Sequence, residues 1–313
     1  MIDPRRLVRP DPALMRDFTG YGERLPDPEW PDDALIAVNF NLNMEGGGER
    51  CLFWGDDTSE GVLNDVGMPA MAGLRVPYVE STFEYGSRRG VWRLLDLFDH
   101  YKVPITLLAV GRALQACPAV GQACSARGHE VASHGLRWID YTGVTPEDEL
   151  ADIREAVKVL ELITGHRPSG WLTGRPSINT RRLALSLGGF LYDRDCLNDE
   201  LPYWVSVGGR PHLLVPYSLE TNDNGFDCQR GFKAPQDFFD YMRGAFDTLY
   251  REGERGSPKL LSISLHDRLI GRPARSEGLR LLLDYMRGFP RVWYCRGLDI
   301  ARHWRSAFPA VDA

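Results

Sequence analysis

A carboxylate and two imidazoles stand just beyond apolar runs: Glu45 after Leu35-Ile36-Ala37-Val38 and Asn41-Leu42-Asn43-Met44, His134 after Val131-Ala132-Ser133, and His266 after Leu260-Leu261 and Ser264-Leu265. Hydrolysing an unactivated amide needs a water made nucleophilic, a donor to the developing oxyanion and an acid for the departing nitrogen. A carboxylate with two imidazoles supplies much of that set. The same side chains are permissible zinc ligands, and catalytic zinc often has three protein ligands. Plainer uses stand beside these. Glu45, followed by Gly46-Gly47-Gly48, is within loop reach of Arg50, and a histidine behind a strand can be a satisfied core residue.

The elements that must position these groups alternate along the chain. Strands are predicted over 35–42, 104–110, 129–133, 169–173, 190–193, 212–217, 259–265 and 292–295. Between them, Val91, Leu94, Leu95 and Phe98 follow helical spacing behind the N-cap candidate Ser87. Thr145-Pro146 opens a helix that Gly165 stops, and Phe238, Met242, Ala245, Phe246 and Leu249 mark another. Strand–helix alternation implies an α/β fold with a parallel sheet, open or closed into a barrel. Such folds build their sites at the C-terminal ends of strands, so the three groups are expected on one mouth. Residues 1–33, rich in Pro, Asp and Arg, read as an arm laid over a single body spanning 34–313. The irregular stretch 46–81 exceeds the usual connection length and is expected to serve as a lid or subunit contact.

Composition narrows the class. A chain of 313 residues with 43% apolar content can bury one large core. The net charge of −6 and pI near 5.7 disfavour nucleic acid or an anionic membrane as partner. A small neutral or weakly charged substrate suits this balance better. Cys51, Cys117, Cys124, Cys196, Cys228 and Cys295 show no CxxC spacing, and no apolar signal core follows Met1-Ile2-Asp3-Pro4. Free thiols and a cytoplasmic location are expected, as is a symmetric homo-oligomer.

The ordered set Asn43-Met44-Glu45, Ser133-His134-Gly135-Leu136-Arg137-Trp138 and Ser264-Leu265-His266 resembles the motifs of the polysaccharide deacetylase family. In that family an Asp-Asp pair, a His-Ser/Thr-x-x-His element and a late Leu-His build a metal-assisted site in an irregular β/α barrel. The resemblance puts Asn43 at the base aspartate, Glu45 at the metal aspartate and Trp138 at the second metal histidine. Wording such as Gly46-Gly47-Gly48-Glu49-Arg50, Glu84-Tyr85-Gly86-Ser87-Arg88 and Gly271-Arg272-Pro273-Ala274-Arg275 is similar to one branch, the allantoinases, which open a hydantoin ring without that metal. The likeness runs from about Gly20 to Trp304.

By that resemblance Glu45 and His134 fall where the family holds its nucleophilic water, and His266 falls at the proton donor. No metal or other cofactor is expected, because an indole at Trp138 cannot coordinate; it would pack on a flat heterocycle or wall off the old metal cavity. Arg175 matches an arginine that orients a carboxylate, and Asp193 or Asp195 is expected to pair with it as structural support. Asn43, Glu84, Asn222, Arg272 and Arg275 are candidates for reading a ring's N–H and C=O groups. The expected activity is opening of a cyclic ureide or imide, allantoin foremost. Met44, Gly46 and Asp267 depart from the branch's usual residues, which leaves another hydantoin, a dihydropyrimidine or succinimide open. A metal-dependent N-deacetylase and a catalytically silent binding protein are the alternatives.

Overall fold

The computed structural model describes residues 3–227 and 231–311. Its strands are β1 (Val8–Arg9), β2 (Ile36–Met44), β3 (Ile105–Ala109), β4 (Glu130–Ser133), β5 (Gly170–Trp171), β6 (Tyr192–Asp193), β7 (Tyr203–Val207), β8 (Arg210–Leu214), β9 (Lys259–His266) and β10 (Val292–Tyr294). Its helices are α1 (Pro77–Tyr85), α2 (Val91–Tyr101), α3 (Gly111–Ala116), α4 (Pro118–Ala126), α5 (Pro146–Thr164), α6 (Thr180–Ser186), α7 (Pro235–Glu254), α8 (Pro273–Met286) and α9 (Gly297–Ala307).

β2 is the organiser. It pairs parallel with β9 along one edge and divides the other between β10 and β3, after which β4, β5, β6 and β8 follow in parallel. All of β2 is buried, and its composition alternates with the two-residue period of a strand. Ile36, Val38, Phe40, Leu42 and Met44 enter the core shared with the helices. Each such fully buried side chain contributes about 1.5–3 kcal/mol. Asn39, Asn41 and Asn43 take the opposite face and bond inside the sheet's concavity: Asn39 Oδ1 accepts from Arg194 Nη1 at 2.7 Å, and Asn41 Nδ2 donates to Ser262 Oγ at 3.1 Å. The same period points Glu45 inward, one step past the strand.

The fold is the expected single α/β domain with a largely parallel sheet, but the sheet does not close into a barrel. Beyond β9 no further strand pairs among the described residues; its outer edge meets the isolated bridge between Asn222 and Ser264 and single backbone bonds such as that from the Leu260 N–H to the Glu200 carbonyl at 3.0 Å. At the other end β8 turns back through Gly208-Gly209 into an antiparallel pairing with β7, and β1 of the N-terminal arm adds to β7. Neither β1 nor β7 was expected from the sequence.

Two helical expectations hold in detail. α5 starts where Thr145 accepts from the Asp148 N–H at 3.2 Å and stops at Gly165, whose φ is 77°. α2 buries Val91, Leu94, Leu95 and Phe98. Ser87, however, is no N-cap, because α1 runs through a π-helical turn at Gly86–Gly90 into α2, and the irregular stretch therefore ends at Pro77. This turn presses on the chain after β9: a Cβ on Gly90 would fall 1.9 Å from the Asp267 carbonyl oxygen, so only glycine permits the approach. No helix among the described residues is long and apolar enough to cross a membrane. Cys51, Cys117, Cys124, Cys196 and Cys295 are unbridged thiols, while Cys228 lies outside the described residues.

Candidate active site

Glu45, His134 and His266 meet because their strands are neighbours. His266 ends β9 in register with Asn43 of β2, and His134 follows β4, one strand beyond β3. Glu45 Oε1 lies 3.3 Å from His134 Nε2 and 3.3 Å from His266 Nε2. Its second oxygen, Oε2, accepts from Arg268 Nη1 at 2.5 Å, so Glu45 pairs with Arg268 and the Arg50 reading is set aside. All four side chains are buried.

The electrostatics follow from that packing. Burial opposes ionisation of Glu45, yet the charges of Arg268 and His266 outweigh it and hold the carboxyl well below its ordinary range. Burial also favours neutral His266, but Glu45 and Asp223 overcome it and raise the imidazole to about 9. Asp223 Oδ1 sits 2.7 Å from His266 Nδ1, and its Oδ2 accepts the N–H groups of His266 at 2.8 Å and Ile270 at 3.0 Å. At neutral pH the centre therefore holds an imidazolium, an ionised Glu45 and the Arg268 guanidinium within one contact shell. Perturbed titration in a buried cluster is a mark of functional sites.

Supporting contacts fix the parts. Asn43 Nδ2 donates to Tyr217 Oη at 2.9 Å and to the Leu265 carbonyl at 3.0 Å, and Asn222 Nδ2 reaches the same phenol at 3.5 Å. Burial pushes that phenol up to about 12. Gly174, at φ 79°, lies against the His134 ring, where a Cβ would come 3.1 Å from Cε1. Asp195 holds this turn by accepting from the Thr173 and Gly174 N–H groups at 2.9 Å each. Two further buried carboxyls border the centre, Glu49 and Asp267, each pushed up to about 7 by burial.

Several sequence expectations need correction. Arg175 does not pair with Asp193 or Asp195; it stacks on Trp138 at 4.3 Å and donates to the Trp138 carbonyl at 3.3 Å. Asp193 is instead held by Arg181 Nε at 2.7 Å, with His212 Nε2 at 3.2 Å. Glu84 is exposed on α1 and faces Arg88, because that helix buries Val79 and Phe83 and leaves the face with Glu84 to solvent. Arg272 and Arg275 reach Asp65 at 3.5 Å and 2.9 Å and so tie down the long 46–81 segment. Trp138 is buried against Phe83, Arg175 and Arg268, which accords with the second of its two expected uses, an internal wall.

Arg268 and Asp223 are the functional candidates that sequence reasoning missed. Arg268 stands two residues after His266, close enough in sequence to be considered, but it lies in the turn beyond β9, where the two-residue repeat of a strand no longer says which way a side chain points. Asp223 carried no signal, because its loop is remote in sequence and meets His266 only in the folded chain.

The metal centre implied by the family's motifs does not fit these residues. A guanidinium cation occupies the second oxygen of Glu45, and an indole takes the place of the second imidazole. Glu45, His134 and His266 meet, but among the described residues no group of three His, Cys, Asp or Glu side chains is arranged so that it could hold a metal ion.

Comparison with known proteins agrees with this architecture. Residues 73–188 match the polysaccharide deacetylase family model. A Schizosaccharomyces pombe protein named "Putative polysaccharide deacetylase" is 40% identical, covering 94% of this chain and 98% of its own. Among solved structures, a PuuE allantoinase superposes with TM-score 0.92 at 48% identity, covering 95% of this chain and 99% of its own. A protein from Pseudomonas aeruginosa PAO1, described as a "probable Polysaccharide deacetylase", does so with TM-score 0.92 at 49% identity and the same coverage. Identity at this level over nearly the full length of both chains means that the protein belongs to the polysaccharide deacetylase family.

Proposed function

We propose that this protein hydrolyses a C–N bond of a cyclic amide without a metal, with a hydantoin of the allantoin type as the best-fitting substrate. The observation that carries the reading is that the protein's own groups engage Glu45 at the position of the family's metal ligand, Arg268 on one oxygen and the His134 and His266 imidazoles facing the other. Likeness to the PuuE allantoinase supports the substrate class.

In this reading Glu45 and His134 are the basic side of the site. A carboxylate held so firmly ionised is a weak base alone, so it orients the water and shares the removed proton with the His134 Nε2 that faces it. His266 is the acidic side, charged at neutral pH and steadied by Asp223. Water oxygen bonds to the ring carbonyl carbon, and the tetrahedral adduct then collapses with rupture of the C–N bond. The nitrogen leaves with the proton of His266. The remaining water proton passes from the new carboxyl group to that neutral imidazole, giving an open chain with a carboxylate and restoring the acid, while the Glu45–His134 pair releases its proton to solvent. Because the catalytic groups are buried, a ring reaches them only when covering structure yields; the segment carrying Leu63 and Asp65, fastened by Arg268, Arg272 and Arg275, is the candidate cover.

The test is an assay of purified protein on allantoin, hydantoin, succinimide and an N-acetylglucosamine oligomer, with and without chelator, alongside elemental analysis. Opening of at least one cyclic substrate, unchanged by chelation, is expected. Deacetylation of the oligomer that is lost on metal stripping and regained on metal return would overturn the proposal.

A further inference from the structure

Arg268 carries more donors than the network around Glu45 uses. Its Nη1 donates to Glu45 Oε2 at 2.5 Å and its Nε donates to the Leu63 carbonyl at 3.3 Å, while Nη2 is buried without a partner among the described residues. A guanidinium presents five N–H donors in a rigid planar fork, and none can be shed by deprotonation. Leaving a buried donor unpaired costs about 1–3 kcal/mol, and more when the group is charged. Rotation cannot relieve this one, because the Phe83 and Trp138 rings lie against Cζ at 4.5 Å and 5.1 Å and fix the plane. The Nε partner is equally constrained: Leu63 adopts φ 51°, uncommon for a non-glycine residue. The result is a charged, immobile donor edge beside the Glu45–imidazole cluster. Catalysis of acyl transfer needs such an edge where negative charge develops.

We propose that Arg268 is the oxyanion donor of this site, its Nη2 receiving the carbonyl oxygen of the scissile amide while Nη1 holds Glu45. This rests on the ring-opening reading and deepens it, by assigning the group that stabilises the tetrahedral adduct. As the water oxygen bonds to the carbonyl carbon, the C=O π pair moves onto the oxygen facing Nη2, and the water proton passes to the Glu45–His134 pair. The pair returns as the C–N bond breaks and the nitrogen takes the His266 proton.

Arg268→Lys and Arg268→Ala separate this role from simple charge neutralisation of Glu45. Lysine keeps a cation for Glu45 but loses the second planar donor. Both variants, checked for folding by circular dichroism, are expected to lose at least ~100-fold in kcat on the cyclic substrate, the scale of one oxyanion-hole donor. KM should change far less. Guanidinium ion, added well below unfolding concentrations, should restore part of the Arg268→Ala rate, which a purely structural residue would not allow. Near-normal kcat in Arg268→Lys overturns the proposal even if Arg268→Ala fails to fold. If the unaltered protein neither opens nor, by calorimetry, binds any cyclic amide, the ring-opening reading fails and this proposal with it. An active parent with an unaffected lysine variant defeats only the assignment of Arg268.

Discussion

Two buried carboxylates at the C-terminal end of the same sheet are each gripped by an arginine and histidine, and they differ in what is left over. Both oxygens of Asp193, at the end of β6, receive Arg181 donors at 2.7 Å and 3.1 Å, and Oδ1 also accepts the Asp195 N–H at 3.1 Å. Arg181 spends Nη2 further on the Asp195 carbonyl at 3.0 Å. Glu45, after β2, receives a single arginine donor on one oxygen, and the arginine that gives it retains an unpaired edge. His134 Nδ1 and Asn43 Oδ1 nearby are also without partners among the described residues. His212 Nε2, 3.2 Å from Asp193, makes no hydrogen bond either, so the two clusters differ in degree. Arginine holds both oxygens of Asp193, whereas around Glu45 an arginine edge, an imidazole nitrogen and an amide oxygen are left over, and such a concentration of unpaired buried groups asks for a ligand. The same residue types thus serve as a brace in one place and as chemistry in the other.

The comparison breaks first at its brace. Asp193→Asn would leave Arg181 buried without its counter-charge, and the expected loss is about 3–5 kcal/mol in urea unfolding. Turnover per folded molecule should stay close to that of the parent. Unchanged stability, or turnover that collapses, would move Asp193 from brace to chemistry.

On the chemical side, Glu45→Gln and His266→Ala are each expected to lower turnover by at least ~100-fold, the scale of general acid–base help. Circular dichroism should report an intact fold in both. Near-normal rates in either variant would assign that residue to packing.

A finer test uses pH. The folded pKa of His266, about 9, stands above its ordinary value of 6.5. The imidazolium's contribution is therefore complete below about pH 6.5 and is lost as pH rises through about 9. The kcat/KM profile should show an alkaline limb near 9, and Asp223→Asn, by removing one of the charges that raises the value, should move the limb to lower pH. A limb that stays in place would detach Asp223 from the acid. Glu45 behaves oppositely: its pKa is depressed, so its stabilisation is present above about 4.5 and fades as pH falls through the lowered value.

The smallest effect is expected from Asp65→Ala, which frees Arg272 and Arg275 from the covering segment. Such partly exposed ion pairs are worth roughly 0–1 kcal/mol. KM should shift by a few-fold at most, with kcat preserved, and a large fall in kcat would place the segment in the chemical step.

Much of the frame was legible because its signals are periodic and local. The apolar alternation of β2, the i, i+3, i+4, i+7 stripe of α2 and the Thr145 and Gly165 ends of α5 depend on neighbours within a few residues. β1 and β7 escaped for the same reason: Val8-Arg9 is two residues long, and β7 is defined by its partner β8. Pairings chosen across the fold were the weak point. Arg175 and Arg181 both lay within reach of Asp193 in sequence terms, and only packing turned one to Trp138 and the other to the carboxylate.

By itself the sequence determined that this chain is an α/β fold with Glu45, His134 and His266 at strand ends, and that an indole stands where the family's motif has an imidazole. Those properties are written in residue type and spacing. Tertiary structure alone decided that Arg268 and Asp223 complete the cluster, that Glu84 faces solvent and that Trp138 is walled in. These outcomes depend on which strand ends and loops become neighbours, on how burial changes the cost of charge, and on which donors remain unpaired once the chain has packed.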